Sequence, residues 1–245
     1  MSVLTTDLII YAAQNICSDD INPSGGAIDA THRASFTQMA AVTTLTYVSD
    51  GADVRTVTVI GRDNTGAIVT ETVTLNAATP VVGTQAFERI QRLDINSVDG
   101  SRTVTIKQTS DSTVIGVVPP NEIGFCMFFA NSASGQSSIT RYEKCFFINT
   151  NASSTLSTAT VTLVADPSSR IAVGVESTVN GTGATANRLS APSPVTFAGV
   201  GVAQSVPSGQ LTAGQAIGVW VRQTLQASDS PQRTTFNTQL SGTSV

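Results

Sequence analysis

Hydrophobic residues and threonines alternate along much of this chain. In residues 57–75, VTVIGRDNTGAIVTETVTL, two alternating runs flank a turn-rich centre that extends from Arg62 to Gly66. A period of two predicts strands with one buried face and one polar face. A short Gly-containing and Asn-containing segment between two such runs predicts a β-hairpin. This hairpin carries almost no side chain that could do chemistry.

Similar strand signals recur along the rest of the chain. A first group lies at residues 44–49, 56–61, 68–75, 87–95, 103–109 and 113–118. A second group follows Pro119-Pro120, at residues 123–130, 141–149, 159–165, 170–176, 215–225 and 234–240. Residues 180–209, rich in Gly, Pro, Ser and Ala, predict a long loop with one short strand near 196–202. Short strands at regular spacing predict an all-β sandwich or barrel.

The pattern also divides the chain into segments. Residues 1–41 combine a short apolar opening with turn-rich sequence and predict an extended N-terminal arm and loop with at most one strand. Residues 42–120 predict a first β-domain, and residues 121–245 predict a second one after the diproline. We therefore expect an all-β protein with two β-sandwich-like domains, of immunoglobulin-like or jelly-roll-like type, and an N-terminal arm.

Glu71 departs from the alternation. Val69, Val73 and Leu75 share one parity, and Glu71 falls on the same parity, which should face the core. Two explanations are open. A bulge or an edge position would remove the conflict, or a buried arginine would pair with Glu71. We favour the bulge or edge position.

Composition excludes several classes of function. Charged residues make up 12% of the chain and hydrophobic residues 40%, which is not a disordered composition. Abundant Thr and Ser with few charges predict polar surfaces that are cheaper to desolvate than charged ones. The net charge is −4, and Lys107 and Lys144 are the only lysines. Because no basic stripe is present, we expect no nucleic-acid binding.

Nothing in the sequence predicts a membrane protein or a disulfide framework. No Lys or Arg precedes Arg33, so the apolar opening lacks the basic region of a signal peptide. The run at 123–130 is far shorter than the roughly 18 residues that span a bilayer. Cys17, Cys126 and Cys145 are expected to be buried small hydrophobes. A bridge between Cys126 and Cys145 is the alternative.

The chain offers few groups for catalysis or metal binding. His32, the only histidine, lies in a predicted loop, and we expect it to be structural or exposed. One histidine and three scattered cysteines are too few for a zinc site. A pair of carboxylates that cleaves glycosides is not excluded by the sequence, because the two residues need to be close in space and not in sequence. The scarcity of Trp and Tyr disfavours such a site, since glycoside-cleaving sites usually lie in aromatic-lined clefts. We predict no catalytic residue, cofactor or metal.

Two segments match part of a known binding motif. The segment beginning at Asp20, DINPSG, matches the first half of a calcium loop, but Thr31 occupies the position that needs a bidentate Glu. The segment beginning at Gly181, GTGATA, matches a dinucleotide fingerprint, but the prolines at 192 and 194 argue against the helix that the fingerprint requires. We expect both segments to be loops.

Trp220 is the one large side chain with two open interpretations. In residues 216–225, AIGVWVRQTL, Ile217, Val219 and Val221 share one parity and Trp220 has the other. If the valines face the core, Trp220 points outward or into a seam between domains, where Trp is a favoured contact anchor. If the valines face a second layer, Trp220 belongs to the core.

Several segments resemble β-rich virion proteins of tailed bacteriophages. They are SGGAIDATHRASFT, VTVIGRDNTGAIVTETVTLNAATPVVGTQAFERI, YEKCFFINTN, ATVTLVADPSSRIAVGVE and LTAGQAIGVWVRQTL. The resemblance covers most of the chain and implies a non-enzymatic assembly role. The first expectation is a capsid decoration (cement) protein that stabilises the outside of the head. The alternative is a neck, tail or fibre component, such as an adaptor or a receptor-binding module.

The resemblance also sets expectations for partners and contacts. It implies a homotrimer that binds the major capsid protein and belongs to a virion assembled in the bacterial cytoplasm. The apolar opening suits strand addition or clamping on a neighbour. The predicted contact residues are therefore Leu8, Ile9, Ile10 and Tyr11, with Trp220 as a weaker candidate.

Overall fold

The computed structural model describes residues 2–18, 21–35, 37–126, 128, 137–229 and 235–244. The chain divides into two compact units. Unit 1 combines Met1–Asp29 with Asn131–Val245, and unit 2 is Ala30–Ala130. The described residues contain strands and two single turns of 3-10 helix, at Thr5–Asp7 and Pro207–Gly209, but no α-helix. Within these residues, no helix has the length and apolarity needed to cross a membrane.

The strands are numbered in chain order. The first nine are β1 (Leu8–Asn15), β2 (Ser24–Arg33), β3 (Leu45–Ser49), β4 (Thr56–Arg62), β5 (Ile68–Thr74), β6 (Val81–Val82), β7 (Arg89–Ile95), β8 (Val104–Gln108) and β9 (Val114–Val118). They are followed by β10 (Gly124–Cys126), β11 (Ile139–Asn149), β12 (Leu156–Ala165), β13 (Ile171–Val179), β14 (Ala184–Thr185), β15 (Gln204–Ser205), β16 (Gln210–Leu211), β17 (Ala216–Leu225) and β18 (Asn237–Ser244). The expected all-β, sandwich-like fold is confirmed.

Unit 2 has two facing sets of strands around one apolar core. One set has the order β10-β7-β4-β5, with the end of β2 beside β10, and the other has the order β6-β3-β8-β9. The core draws on both sets, for example Val57 and Leu93 from the first and Tyr47 and Ile106 from the second. The alternation in β4 places its valines inside and its threonines outside, as the sequence predicts.

Unit 1 contains a sheet with the order β13-β17-β11-β1-β2, where β14 pairs with the start of β2. A second sheet has the order β15-β12-β16, and β18 also pairs with β12. β17 lies between β11 and β13, and its first six residues are all buried. A central strand that is buried on both faces has no polar face, so side chains of both parities are core residues.

The N-terminal segment does not form the expected arm. β1 pairs antiparallel with β11, in a register that sets Leu8 opposite Asn149 and Ala12 opposite Cys145. A continuous apolar run is also typical of a buried strand, and these residues form a paired strand and not a detached contact segment. Residues 24–33, expected as loop, form β2. The boundary expected after residue 120 lies instead after residue 130. The segment in between contains β10, which pairs with β7 and with the end of β2 and therefore belongs to unit 2.

Glu71 occupies an edge strand and points inward. β5 ends the strand order of its sheet, and its pairing with β4 runs without a register shift. The Glu71 carboxylate accepts hydrogen bonds from the Tyr47 hydroxyl (3.0 Å) and from the backbone N–H groups of Thr84 and Gln85 (2.5 and 2.8 Å). The predicted edge position of Glu71 is therefore confirmed, but its strand has no bulge there. The described partners of its carboxylate are Tyr47 and the backbone of Thr84 and Gln85, and none of them is an arginine.

Candidate functional site

The predicted contact residues of β1 belong to a sheet of unit 1. Leu8, Ile9 and Ile10 are half-buried, and Tyr11 is buried. Their backbones pair with β11, Tyr11 opposite Phe146. Burial leaves Tyr11 little surface for a partner, so its prediction as a contact residue is wrong. Leu8, Ile9 and Ile10 keep part of their surface exposed to solvent. They do so as residues of a paired strand and not as part of a free arm that could clamp a neighbour.

Trp220 is a core residue, with 1% of its surface exposed. The prediction that it anchors a partner is wrong, because β17 is a central strand covered on both faces. The space for the indole ring depends on Gly25, whose φ is +81°. A Cβ added at Gly25 would lie 2.6 Å from the Trp220 ring. The Trp220 Nε1–H group donates to Glu176 at 3.4 Å.

Lys144 forms a buried ion pair with Glu176 at the centre of this region. Its Nζ lies 2.8 Å from Glu176 Oε1. Three backbone carbonyl oxygens also lie within hydrogen-bond distance of Nζ, those of Gly26 (2.9 Å), Gly181 (3.1 Å) and Gly183 (3.2 Å), so the three ammonium hydrogens are shared among four acceptors. Three carbonyls and a carboxylate form the type of oxygen cage that proteins build around a cation. The Lys144 ammonium thus occupies the position that a bound cation would take in such a cage.

The surroundings of Lys144 are otherwise apolar. Nζ lies 4.5 Å from the centre of the Phe146 ring and 5.8 Å from that of Trp220, within the range of cation–π attraction. Burial lowers the pKa of Lys144, and the bond to Glu176 opposes that shift. The ammonium therefore depends on its acceptors, and removing one of them would leave a buried charge poorly solvated.

The carboxylate of Glu176 is surrounded by glycines. A Cβ at Gly181 would lie 2.5 Å from Oε2, one at Gly183 would lie 2.5 Å from Oε1, and one at Gly218 would lie 2.3 Å from Oε2. Since real Cβ atoms do not come that close, a side chain at any of these positions would force the carboxylate to shift. Oε2 is buried and has no hydrogen-bond partner among the described residues. A buried acceptor without a donor is costly and calls for an explanation.

A pocket of about 140 Å³ lies beside Glu176. Its lining combines the carboxylate, hydroxyl side chains, glycines and a small apolar wall. The lining residues are Glu176, Ser177, Thr178, Gly181, Thr182, Gly183, Ala184, Pro192, Ser193, Pro194, Val195 and Trp220. All of them belong to unit 1, so the site is complete within one compact unit.

Arg188 and Glu143 form a second buried pair in unit 1. Arg188 Nε donates to Glu143 Oε1 at 2.6 Å, and the Ser24 hydroxyl donates to Glu143 Oε2 at 3.1 Å. The remaining guanidinium N–H groups donate to carbonyl oxygens of the β1–β2 connection, those of Asn15, Ile16, Asn22 and Pro23. Burial raises the pKa of Glu143 to about 7, although Arg188 and Ser24 oppose the shift. This pair holds the β1–β2 connection against the segment after β14.

His32 is buried on β2 and lies in a polar chain of unit 2, not in a loop. Its Nε2 is 2.9 Å from Asp94 Oδ1 and its Nδ1 is 3.2 Å from Thr31 Oγ1. Burial raises the pKa of Asp94, but the hydrogen bonds from His32 and Arg92 outweigh it and hold that pKa below the ordinary value. With both ring nitrogens bonded inside the chain, His32 ties β2 to β7.

The structure places the other candidate chemical groups as follows. Across the described residues, no group of three His, Cys, Asp or Glu side chains could hold a metal ion. Asp20 of the calcium-like motif lies outside the described residues. No helix follows Gly181, and this part of the chain instead supplies carbonyls to Lys144. Cys17, Cys126 and Cys145 are buried and none forms a disulfide, as the first interpretation expected.

Sequence reasoning missed the residues that form this site. Lys144 and Glu176 lie 32 positions apart in sequence, and no spacing rule links them. Two weak signals were available. Lys144 stands beside the aromatic run at 146–147 although lysine is rare in this chain, and Gly181 and Gly183 flank a single residue in the following loop.

Comparison with known proteins adds no assignment. No protein-family model, no curated protein and no solved structure matches this chain.

Proposed function

We propose that this chain is a non-enzymatic structural protein of a tailed-phage virion, which decorates and stabilises the outside of the capsid. Its partner is the major capsid protein, and it acts as a homotrimer around local symmetry axes. Many modest contacts lock neighbouring capsomers together against internal pressure. The proposal starts from the resemblance of several segments to β-rich virion proteins and is supported by how this fold distributes its polar groups.

The observation that carries the proposal is the hydroxyl-rich outer surface of the strands. Threonine and serine side chains of neighbouring strands are within hydrogen-bond distance of each other on exposed faces. The pairs are Thr58–Thr72 (3.1 Å), Thr46–Thr109 (2.9 Å), Thr160–Ser241 (3.1 Å) and Thr158–Thr243 (3.3 Å). Hydroxyls cost less to desolvate than charges, so such faces suit broad protein contacts.

The ionisable side chains support the same role. Many of them are paired inside the chain, with at least one partner well buried. These pairs are Lys144–Glu176, Arg188–Glu143, Arg55–Asp53 and Arg33–Glu122. In each of these pairs the carboxylate side chain is at most 8% exposed, so its charge is used inside the chain. An assembly protein needs a rigid, weakly charged body more than it needs reactive groups.

The second candidate is a neck, tail or fibre component. The observation that favours it is the pocket beside Glu176, since a receptor-binding module presents a concave site with a few polar groups. The two candidates make different predictions about where the chain lies on a particle.

Immunogold electron microscopy of intact virions, with antibody raised against this chain, separates the candidates. Label over the whole head is expected for a decoration protein. Label only at the neck, tail or tail tip would replace the first candidate by the second. Absence of label on virions that contain the protein by mass spectrometry would contradict an external position.

Binding to isolated heads then tests the surface argument. Thr58→Lys/Thr72→Lys places charges on a face of unit 2, and Thr160→Lys/Ser241→Lys does so on a face of unit 1. A charge buried in a contact is costly, so the variant on the binding face should lose head binding while the other keeps it. If both variants bind like the wild type, these hydroxyl faces are not the contact surface.

A further inference from the structure

The edge strands of the described sheets differ in how they are protected against pairing with another chain. The edge strands with five or more residues are β5, β9, β13 and β18. β5 carries the inward Glu71, β9 is bulged where it pairs with β8, and β13 is bonded at Val173 by the loop residue Ala198. Inward charges, bulges and covering loops are devices by which proteins keep an exposed edge from pairing.

β18 has none of these devices. Its eight residues, Asn237–Ser244, include no charged residue and no proline. Among the described strands it pairs with β12 alone, and both register shifts in that pairing place the extra residue on β12. Beyond β12, its described contact is with Val3, whose N–H group donates to the Ser244 hydroxyl at 2.6 Å. Within the described part of the chain, the outer backbone edge of β18 is therefore open.

The open edge of β18 fits an extended strand as its partner. In an antiparallel pair, alternate residues turn their N–H and C=O groups away from the neighbouring strand. On β18 these groups face away from β12, and an extended strand can pair with the whole row of them. β18 is also accessible along its length, because Leu240 is its one buried residue.

The side chains of β18 favour a second copy of the same strand. Like charges opposite each other destabilise a strand pair, and an uncharged strand meets no such repulsion when it pairs antiparallel with itself. Its hydroxyls already lie within hydrogen-bond distance of those of β12, in the pairs Thr160–Ser241 (3.1 Å) and Thr158–Thr243 (3.3 Å). Cross-strand hydroxyl pairs of this kind stabilise sheets. β18 carries no charge with which to select a different sequence.

We propose that β18 pairs antiparallel with β18 of a second copy, so that the two sheets containing β12 and β18 become one continuous sheet. The contact uses the same surface on both copies and relates them by a two-fold axis. It is additional to the homotrimer of the proposed function and does not depend on it. It doubles the smallest assembly, giving a dimer from a monomer or a hexamer from a trimer.

Sedimentation equilibrium on the full chain over a range of concentrations tests the proposal. The wild type should contain a species of twice the smallest mass, in a proportion that grows with concentration. Asn237→Lys/Gln239→Lys places like charges along both paired edges and should weaken the doubling by roughly tenfold or more. Thr70→Lys/Thr72→Lys is the matched control, because it adds the same charges at exposed positions of the protected edge strand β5, and it should leave the doubling unchanged.

Hydrogen exchange on the wild type locates the contact without any variant. The backbone amides of residues 237–244 should exchange more slowly at high protein concentration than at low, whereas those of residues 68–74 should not change. A wild type that does not double up to about 1 mM, a doubling that both lysine variants weaken equally, or a doubling without protection of β18 would overturn the proposal. A trimer that never doubles would reject this contact and leave the proposed function standing.

Discussion

At the scale of single residues, this protein is organised by buried charges with specific partners. Lys144 is caged by Glu176 and three carbonyls, and Glu143 is held by Arg188 and Ser24. A buried charge without its partner is costly, whereas a pair replaced by apolar residues of similar volume can be nearly neutral. These pairs therefore specify which loops meet. Each charged side chain contributes to stability mainly by neutralising its buried partner.

The Lys144–Glu176 pair makes the first prediction. Lys144→Met should lower the free energy of unfolding by about 3–5 kcal/mol, because it leaves the Glu176 carboxylate buried without its cation. Adding Glu176→Met should recover much of that loss. Urea unfolding followed by circular dichroism measures both changes.

Arg170→Met is the matched control for that experiment. It breaks the Arg170–Asp229 pair, which is more exposed, and should have a much smaller effect. If the double variant is less stable than Lys144→Met, the two side chains do not act as a pair.

Glu143 makes a prediction about pH. Burial raises its pKa in the folded state from 4.5 to about 7. Below pH 4.5 both states carry the proton, and as the pH rises the unfolded state loses it first. Stability should therefore fall by about 1.4 kcal/mol per pH unit between these values and then level off.

Comparison with Glu143→Gln isolates this effect from other titrating groups. The amide resembles the protonated carboxyl and does not titrate, so the difference in unfolding free energy between wild type and variant should change between pH 5 and 7. A constant difference across that range would mean that Glu143 keeps an ordinary pKa. Asp53 and Asp94, whose pKa values are lowered, act at more acidic pH and do not confuse the comparison.

At the scale of elements, the position of a strand in its sheet explains features that its own pattern does not. β17 lies between β11 and β13, and the side chains of Lys144 and Glu176 meet across it above Gly218. β5 is an edge strand, and its inward Glu71 binds the backbone of residues 84–85. An inward-pointing charge is one way in which proteins discourage pairing at an exposed edge.

Gly218→Ala tests the crossing of the ion pair over β17. The added Cβ would lie 2.3 Å from Glu176 Oε2 and 2.7 Å from Lys144 Cε, so we expect a loss of about 1–3 kcal/mol in unfolding free energy. Gly199→Ala is the control, since its Cβ would meet nothing within 4 Å, and its effect should stay within about 0.5 kcal/mol. Equal effects in thermal or urea unfolding would refute the steric argument.

At the scale of the whole molecule, the chain forms two units, and the sequence of unit 2 is inserted within that of unit 1. Unit 1 takes both ends of the chain, because β1 pairs with β11. Unit 2 is one continuous segment with its own apolar core, which includes Val57, Tyr47 and Phe125. A segment that holds a complete core and its own strand pairs should fold without the rest of the chain.

Residues 30–130 expressed alone test that expectation. The fragment should show a β-type circular dichroism spectrum and one cooperative urea transition. Val57→Asp in the same fragment puts an unpaired charge in the core and should abolish the transition. A fragment that stays unfolded under native conditions would show that unit 2 depends on unit 1.

Sequence by itself determined the local features of this protein. Alternation with a period of two is read within one strand, so the all-β fold, the inward valines of β4 and the outward threonines were predictable. The low charge and single histidine were likewise visible without any structure. None of these features depends on which strands become neighbours.

Only the tertiary structure decided where the chain's ends lie and which charges meet. An apolar run such as that of β1 suits either a contact arm or a central strand, and only its pairing with β11 distinguishes them. Trp220 was ambiguous for the same reason, because both parities of β17 are buried. Lys144 and Glu176 come together across a third strand, so their partnership depends on sheet order, which strand periodicity does not encode.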